Sequence, residues 1–211
     1  MKKIGIIGSG EVGKALAKGL NKHGYLVMLG SEDKNKRDSF KNETGIMTGT
    51  FSEAAVFGEV VILAVKGLAA GSVVSSLATK IAGKTVIDTC NPIAEKPPVN
   101  GVLQFFTSLD DSLMERLQGM APSANFVKAF SCVGSTFMID PSFTEKPSMF
   151  ICGNNEAARK EVREILDNVG WAAEDMGGAE AARAIEPLCM LWCIPGFRSN
   201  DWAHAFRMVR P

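Results

Sequence analysis

Short, nearly continuous apolar runs alternate along this chain with longer stretches in which apolar residues recur every three or four positions. The runs cover residues 3–7, 25–29, 60–65, 85–87, 126–129 and 149–151. Unbroken hydrophobicity suits strands buried on both faces of a parallel sheet, whereas a half-exposed strand would alternate. Between the runs, Val12, Leu16 and Leu20 follow a helical spacing that Gly24 ends as a natural C′ residue. Ser108-Leu109-Asp110-Asp111 resembles a capping box and predicts a helix through Leu113 and Leu117, stopped at Gly119. Asn154 or Asn155 caps a further helix whose Val162, Ile165, Leu166 and Val169 face one side, with Gly170 after it. The alternation predicts an α/β fold, a doubly wound parallel sheet over residues 1–153. Residues 154–211 form a small α+β extension, separate or integral to the same domain, with a helix, a short strand near Trp171 and a helical stretch broken at Pro187. The connection over 88–108 is long and carries Pro92, Pro97 and Pro98, and long loops in compact α/β domains are commonly functional or mobile.

Composition narrows the class. The 211 residues are 46% hydrophobic and 22% charged, which excludes intrinsic disorder. A chain of this size buries about 70% of its unfolded surface, enough to stand without disulfides or a structural metal. Its 23 basic and 23 acidic side chains cancel, so a chain-wide basic surface for nucleic acid or anionic membrane is excluded. Cys90, Cys132, Cys152, Cys189 and Cys193 show no CxxC or ligand spacing and read as reduced, apolar cysteines of a cytoplasmic protein, with no metal site. Residues 60–78 are largely apolar, but Lys66, Gly67 and Gly71 and a change of texture point to strand, turn and helix, not a membrane span. The first residues show no signal-peptide core. The expectation is a soluble, cytoplasmic protein.

Gly8-Ser9-Gly10-Glu11-Val12-Gly13 supplies the first chemistry. A GxGxxG string is weak alone, but this one directly follows a predicted strand and opens a predicted helix, the context a dinucleotide fingerprint needs. Gly8 permits the tight turn, Gly10 lets backbone approach a pyrophosphate, and Gly13 lets the helix pack close. Free N–H groups at the helix start favour the phosphates. The second predicted strand leaves NAD and NADP both open. Glu32 and Asp33 lie nineteen and twenty residues past Gly13, the spacing of an acid that binds the ribose diol. Ser31 instead suits a 2′-phosphate, with Lys34, Lys36 and Arg37 as counter-charges.

Taken with residues 30–31, 49–55, 86–92, 127–130, 149–153 and 180–188, this turn resembles the family of NADPH-dependent reductases of the deazaflavin coenzyme F420 and their bacterial relatives of unassigned substrate. The same dinucleotide domain occurs as the soluble portion of membrane ferric reductases. The resemblance implies a Rossmann domain with a small C-terminal extension holding the nicotinamide and a second substrate, in a homodimer. It implies that Gly8 through Gly13 bind the pyrophosphate, and that Ser31 and the position after it, normally Arg, bind the 2′-phosphate. Here that position is Glu32, which would repel a phosphate unless a nearby cation compensates, and Lys36 matches another basic contact. Ala64 and Val65 are implied beside the nicotinamide ribose, and Asn91, Pro92, Ala129 and Phe130 around the nicotinamide pocket. Two positions depart from the pattern: Ser131 and Cys132 replace the usual Asn, and Lys66 stands where proline is common.

Hydride transfer from nicotinamide C4 to a flavin-like ring needs two rings held face to face, close and dry, and little from side chains. That fits a sequence without an acid–base constellation, and no catalytic residue is assigned. His23 reads as a helix-end residue, His204 as packing or function in an aromatic tail, and Cys132 as an inert or redox-sensitive thiol. Trp192, Phe197, Trp202 and Phe206 read as core or interface in preference to a pocket wall. Two functions follow: an NAD(P)-dependent oxidoreductase with a flavin, deazaflavin or other small acceptor, and a non-catalytic NAD(P)-binding sensor or regulatory subunit. An open apolar cavity beside Asn91, Pro92 and Phe130 favours the first, and one filled by Trp192 or Lys66 the second.

Overall fold

The computed structural model describes residues 1–211. From the N-terminus come β1 (Lys3–Ile7), α1 (Glu11–Lys22), β2 (Leu26–Gly30), α2 (Lys34–Thr44), β3 (Met47–Gly49), α3 (Phe51–Phe57) and β4 (Val60–Leu63). Next are α4 (Gly67–Leu77), β5 (Thr85–Asp88), α5 (Leu113–Met120), β6 (Asn125–Lys128) and β7 (Ser148–Ile151). The chain closes with α6 (Glu156–Asn168), β8 (Ala172–Asp175), α7 (Ala182–Ile185) and α8 (Pro187–Ser199).

The first six strands form one all-parallel sheet in the order β3-β2-β1-β4-β5-β6. This is the expected doubly wound α/β architecture. Strand order reverses between β1 and β4, and in open parallel sheets a crevice forms outside the carboxyl ends of the strands at that point. The sheet is buried on both faces, which is why its strands read as continuous apolar runs. Ile4 and Ile6 join Leu16 and Leu20 of α1 with Val162, Ile165 and Leu166 of α6 in one core. Ile7, Val61 and Leu63 pack on the other face with Val74 of α4, Leu117 of α5 and Ile185 of α7. Each such burial contributes about 1.5–3 kcal/mol. Gly5 sits between Ile4 and Ile6 because α3 presses on β1 there; a Cβ at Gly5 would lie 2.0 Å from the Ala54 carbonyl oxygen.

The strand β7 pairs only with β8, and the first core draws residues from both sides of the expected boundary between residues 153 and 154. The helix expected from Ser108 begins later. Ser112 and Glu115 form the capping box of α5, with Ser112 Oγ accepting from the Glu115 N–H and Glu115 Oε2 accepting from the Ser112 N–H. Ser108 instead closes a local turn by accepting the Asp110 N–H, and α5 runs through Gly119 to Met120. Pro187 starts α8 at its first turn, where a missing N–H costs nothing, so the break lies between α7 and α8. Strand β3 and helix α3 were not read from periodicity; three and seven residues are too few to show a period. Residues 60–78 divide into β4 and α4, and no helix is long and apolar enough to cross a membrane.

Candidate functional site

The three glycines after β1 are required for three different reasons. Gly8 has φ +127°, a region closed to most side chains, and a Cβ there would meet the Ala64 carbonyl oxygen at 2.1 Å. A Cβ on Gly13 would lie 2.0 Å from the Gly8 carbonyl oxygen, so α1 can approach the turn only without one. Gly10 is the opposite case: nothing lies within 4 Å of its missing Cβ. It is also the N-cap of α1, and no side chain caps that helix. The first-turn N–H groups are therefore left for an anion.

Gly10 opens onto a cleft of about 670 Å³ lined by residues 8–12, Phe51, residues 64–68, residues 89–91 and residues 93–95. These come from the carboxyl ends of β1, β4 and β5, the switch point of the sheet. Helix α4 starts hard against the far wall, where a Cβ on Gly67 would lie 2.1 Å from the Asn91 carbonyl oxygen. The wall is held by hydrogen bonds: Thr89 Oγ1 donates to the Leu63 carbonyl at 2.9 Å, and Asn91 Nδ2 donates to the Ser131 carbonyl at 2.7 Å.

Of the residues expected at the site, Gly8, Ser9, Gly10, Glu11, Val12, Ala64, Val65 and Asn91 line this cleft. Gly13 lies beneath the turn, and Pro92 is buried beside the lining without joining it. Ala129 and Phe130 are 0% and 1% exposed and belong to the core, so their side chains do not shape the pocket as expected. The reason is the backbone: Phe130 adopts φ 59° immediately after β6 and its ring packs inward. Lys66 stands on the cleft wall, and Trp192 packs elsewhere with Leu103, Cys189 and Cys193. The cavity is open.

The end of β2 is organised by caps. Ser9 Oγ donates to Ser31 Oγ at 2.9 Å, which ties the glycine turn to β2. Glu32 Oε1 accepts the Phe51 N–H at 2.9 Å, and Asp33 caps α2 by accepting from the Asn35 and Lys36 N–H groups. Lys36 is exposed. Beside them, a second hollow of about 420 Å³ is lined by Glu32, Ser52, Ser72, Ser76, Lys80 and others, and shares Phe51 with the cleft.

The cysteines and histidines carry no evident chemistry. All five thiols are buried and unpaired, and burial pushes the Cys132 and Cys152 thiols up to about 12. His23 stands at the C-terminal end of α1, bonded to Asp140 at 2.8 Å. His204 Nε2 lies 2.9 Å from the Trp192 carbonyl oxygen, and Trp192 Nε1 donates to the His204 carbonyl at 2.8 Å. Both belong to packing.

Sequence reasoning missed a buried ion cluster behind the cleft. Lys128 Nζ lies 2.6 Å from Asp88 Oδ2 and 2.8 Å from Glu186 Oε1, with all three side chains at most 2% exposed. Burial alone would lower the Lys128 pKa, but the two carboxylates together outweigh it and hold the ammonium charged. Lys128 Nζ also donates to the Cys90 carbonyl at 2.8 Å, next to Asn91. Glu186 accepts the Leu113 and Met114 N–H groups, capping α5 from α7. A signal was present: Asp88 directly follows one apolar run and Lys128 interrupts another, and charges in such positions are buried only when paired.

Residues 3–92 match the family described as NADP oxidoreductase, coenzyme F420-dependent. The rat metalloreductase STEAP3 is 30% identical over 92% of this chain, and the chain spans 38% of that protein's length. The F420-dependent NADP reductase of Methanocaldococcus jannaschii is 28% identical, over 90% of each chain. A crystal structure from Arthrobacter sp. FB24, provisionally assigned as an F420-dependent NADP-reductase, superposes with a TM-score of 0.91 over 100% of both chains at 26% identity. Over residues 3–92 the chain is thus similar to the F420-dependent NADP oxidoreductase family, and over most of its length to proteins named as NADP reductases.

Proposed function

We propose that the protein is an NAD(P)-dependent oxidoreductase that passes hydride between nicotinamide C4 and a small acceptor, a flavin- or deazaflavin-like ring. The observation that carries this reading is the open, largely apolar cleft that continues from the phosphate-binding turn to Asn91. The pyrophosphate would sit on Gly10 and the first turn of α1, and the nicotinamide ribose beside Ala64 and Val65. Phe51 marks where the cleft meets the second hollow, which has room for the adenine. The residues present fit such a cofactor: the helix start is uncapped and a Gly10 side chain would occupy the pyrophosphate's place. Bound nicotinamide supplies the hydride; the protein aligns the rings and excludes water. The acids and ammonium on the cleft wall, Glu11, Lys66 and Glu95, are exposed, so nothing presents a buried proton donor for an imine or carbonyl. That favours a ring whose own atoms accept hydride.

The unfilled cleft also favours an enzyme over a sensor. Five reduced thiols suit a cytoplasmic setting. A homodimer belongs to the same reading: Val99 and Val102 in the long loop and Phe197 in α8 are exposed apolar neighbours. The test is anaerobic oxidation of NADPH and NADH, deuterated at C4, with FMN, riboflavin and a deazaflavin as acceptors. Acceptor-dependent loss of reduced nicotinamide is expected, with deuterium retained at C5 of the reduced deazaflavin and lost to water from N5 of a reduced flavin. Tight nucleotide binding without any transfer would favour the sensor, and absence of nucleotide binding would defeat both.

A further inference from the structure

Two of the ions buried behind the cleft grip the backbone that lines it. Asp88 Oδ1 accepts the Cys90 N–H at 2.9 Å, and Lys128 Nζ donates to the Cys90 carbonyl at 2.8 Å. Thr89, Cys90 and Asn91 all line the cleft. Lys128 cannot swing away, because Asp88 and Glu186 hold the same ammonium at 2.6 and 2.8 Å in the dry interior. Of the three charges, Lys128 alone touches the Cys90 carbonyl.

The Cys90–Asn91 peptide is trans, so its N–H points opposite to its carbonyl, away from Lys128. This Asn91 N–H donates to no group of the protein. Its neighbours differ: the Thr89 N–H bonds the Leu63 carbonyl, the Cys90 N–H bonds Asp88, and Pro92 has none. An unpaired N–H is very rarely sealed inside a protein. Asn91 is half-buried and lines the cleft, which leaves the cleft as the space this donor faces. Asn91 Nδ2, bonded to the Ser131 carbonyl at 2.7 Å, fixes the residue in place. An ammonium on a peptide carbonyl polarises the whole peptide and makes its N–H a stronger donor.

We infer that the Asn91 N–H, polarised through the peptide by Lys128, stabilises the negative charge that hydride transfer places on the acceptor ring. The inference rests on the proposed oxidoreductase function. In that step one C–H bond breaks at nicotinamide C4, and one bond to hydrogen forms at C5 of a deazaflavin or N5 of a flavin. The electron pair leaves negative charge over N1 and the C2 carbonyl of the acceptor, until a proton from water neutralises it at N1. A donor fixed before the reaction stabilises such charge without reorganising. Asn91 is the residue that touches the acceptor, and Lys128 is a positioning residue acting through the Cys90 carbonyl.

The first readout needs no turnover. In nitrogen-15-labelled wild type, solvent exchange of the Asn91 amide proton should be fast in the free protein and with NADPH alone. NADPH together with reduced 5-deazariboflavin, a pair that cannot react, should slow it by about 10-fold or more. Kinetics supply the second. Asn91→Pro deletes the N–H and should lower kcat about 100- to 1,000-fold, the loss for one such donor. Asn91→Ala keeps the N–H and should lose far less, with the NADPH dissociation constant close to wild type in both. Lys128→Met should move the Asn91 amide resonance upfield and lower kcat; if it does not fold, Lys128→Met with Asp88→Asn and Glu186→Gln removes all three charges together. The inference is overturned by an amide already protected in the free protein, by protection from NADPH alone, or by none from the pair. Equal kcat losses in the two Asn91 variants, or an amide resonance unmoved by loss of Lys128, would also overturn it. Absence of nucleotide binding, or of transfer to any acceptor, defeats instead the proposed function itself.

Discussion

Lys128 at the end of β6 and Glu186 at the α7–α8 junction meet 2.8 Å apart in the dry interior, and together they hold the wall of the cleft. Lys128 fixes the Cys90 carbonyl, and Glu186 caps α5. The C-terminal segment is thereby joined to the sheet through charge as well as apolar packing. Removing one partner leaves an uncompensated buried charge. Lys128→Met should cost about 3–5 kcal/mol in urea denaturation, and Glu186→Gln less, because the amide oxygen can still cap α5. A Lys128→Met protein within about 1 kcal/mol of wild type would show that the cluster contributes little to stability.

The glycine turn separates binding from folding. Gly10→Val places a side chain in the open cleft, so melting temperature should hold while nucleotide binding is lost. Gly13→Ala drives a Cβ into the Gly8 carbonyl, so the fold itself should suffer. Thermal melts with and without NADPH distinguish the two. Undiminished affinity in Gly10→Val would remove the turn from the site.

Glu32 has two effects that substitution separates. Glu32→Gln keeps an oxygen for the Phe51 N–H but loses the charge, so it should raise the NADPH-to-NADH affinity ratio with little change in stability. Glu32→Arg should raise the ratio further and lose about 1 kcal/mol as the bond to the Phe51 N–H disappears. Isothermal titration and chemical denaturation measure the two effects. No change in the ratio would show that Glu32 points away from the ribose.

The Arg183 side chain bonds both Glu115 oxygens and holds that carboxylate below the ordinary 4.5. Because the folded pKa is lowered, the contribution is present above the unfolded value and is lost as pH falls through the folded one. Arg183→Gln should therefore lower stability at neutral pH and flatten its decline below about pH 5. Denaturation midpoints across that range test it, and an acid limb parallel to wild type would count against the pair.

Cys132 should be inert. Its thiol is buried and pushed up to about 12, so native protein at pH 8 should react with a thiol reagent far more slowly than unfolded protein. Mass spectrometry after a short exposure reads the site, and rapid native labelling of Cys132 would reopen the redox-sensitive reading.

Periodicity and glycine placement made much of this protein legible in its sequence. Parallel strands buried on both faces must be apolar throughout, and the glycine turn must lack side chains at fixed positions, so both leave one-dimensional traces. Val60 through Leu63 and Gly8, Gly10 and Gly13 are such cases. Contacts between distant residues leave no such trace. The tertiary structure alone brought Lys128 to Asp88 and Glu186, turned Phe130 from the expected pocket into the core, and moved the α5 cap from Ser108 to Ser112. A carboxylate's role depends on which N–H groups it meets, and only folding brought the Phe51 N–H to Glu32 and the Arg37 guanidinium to the Ser31 carbonyl.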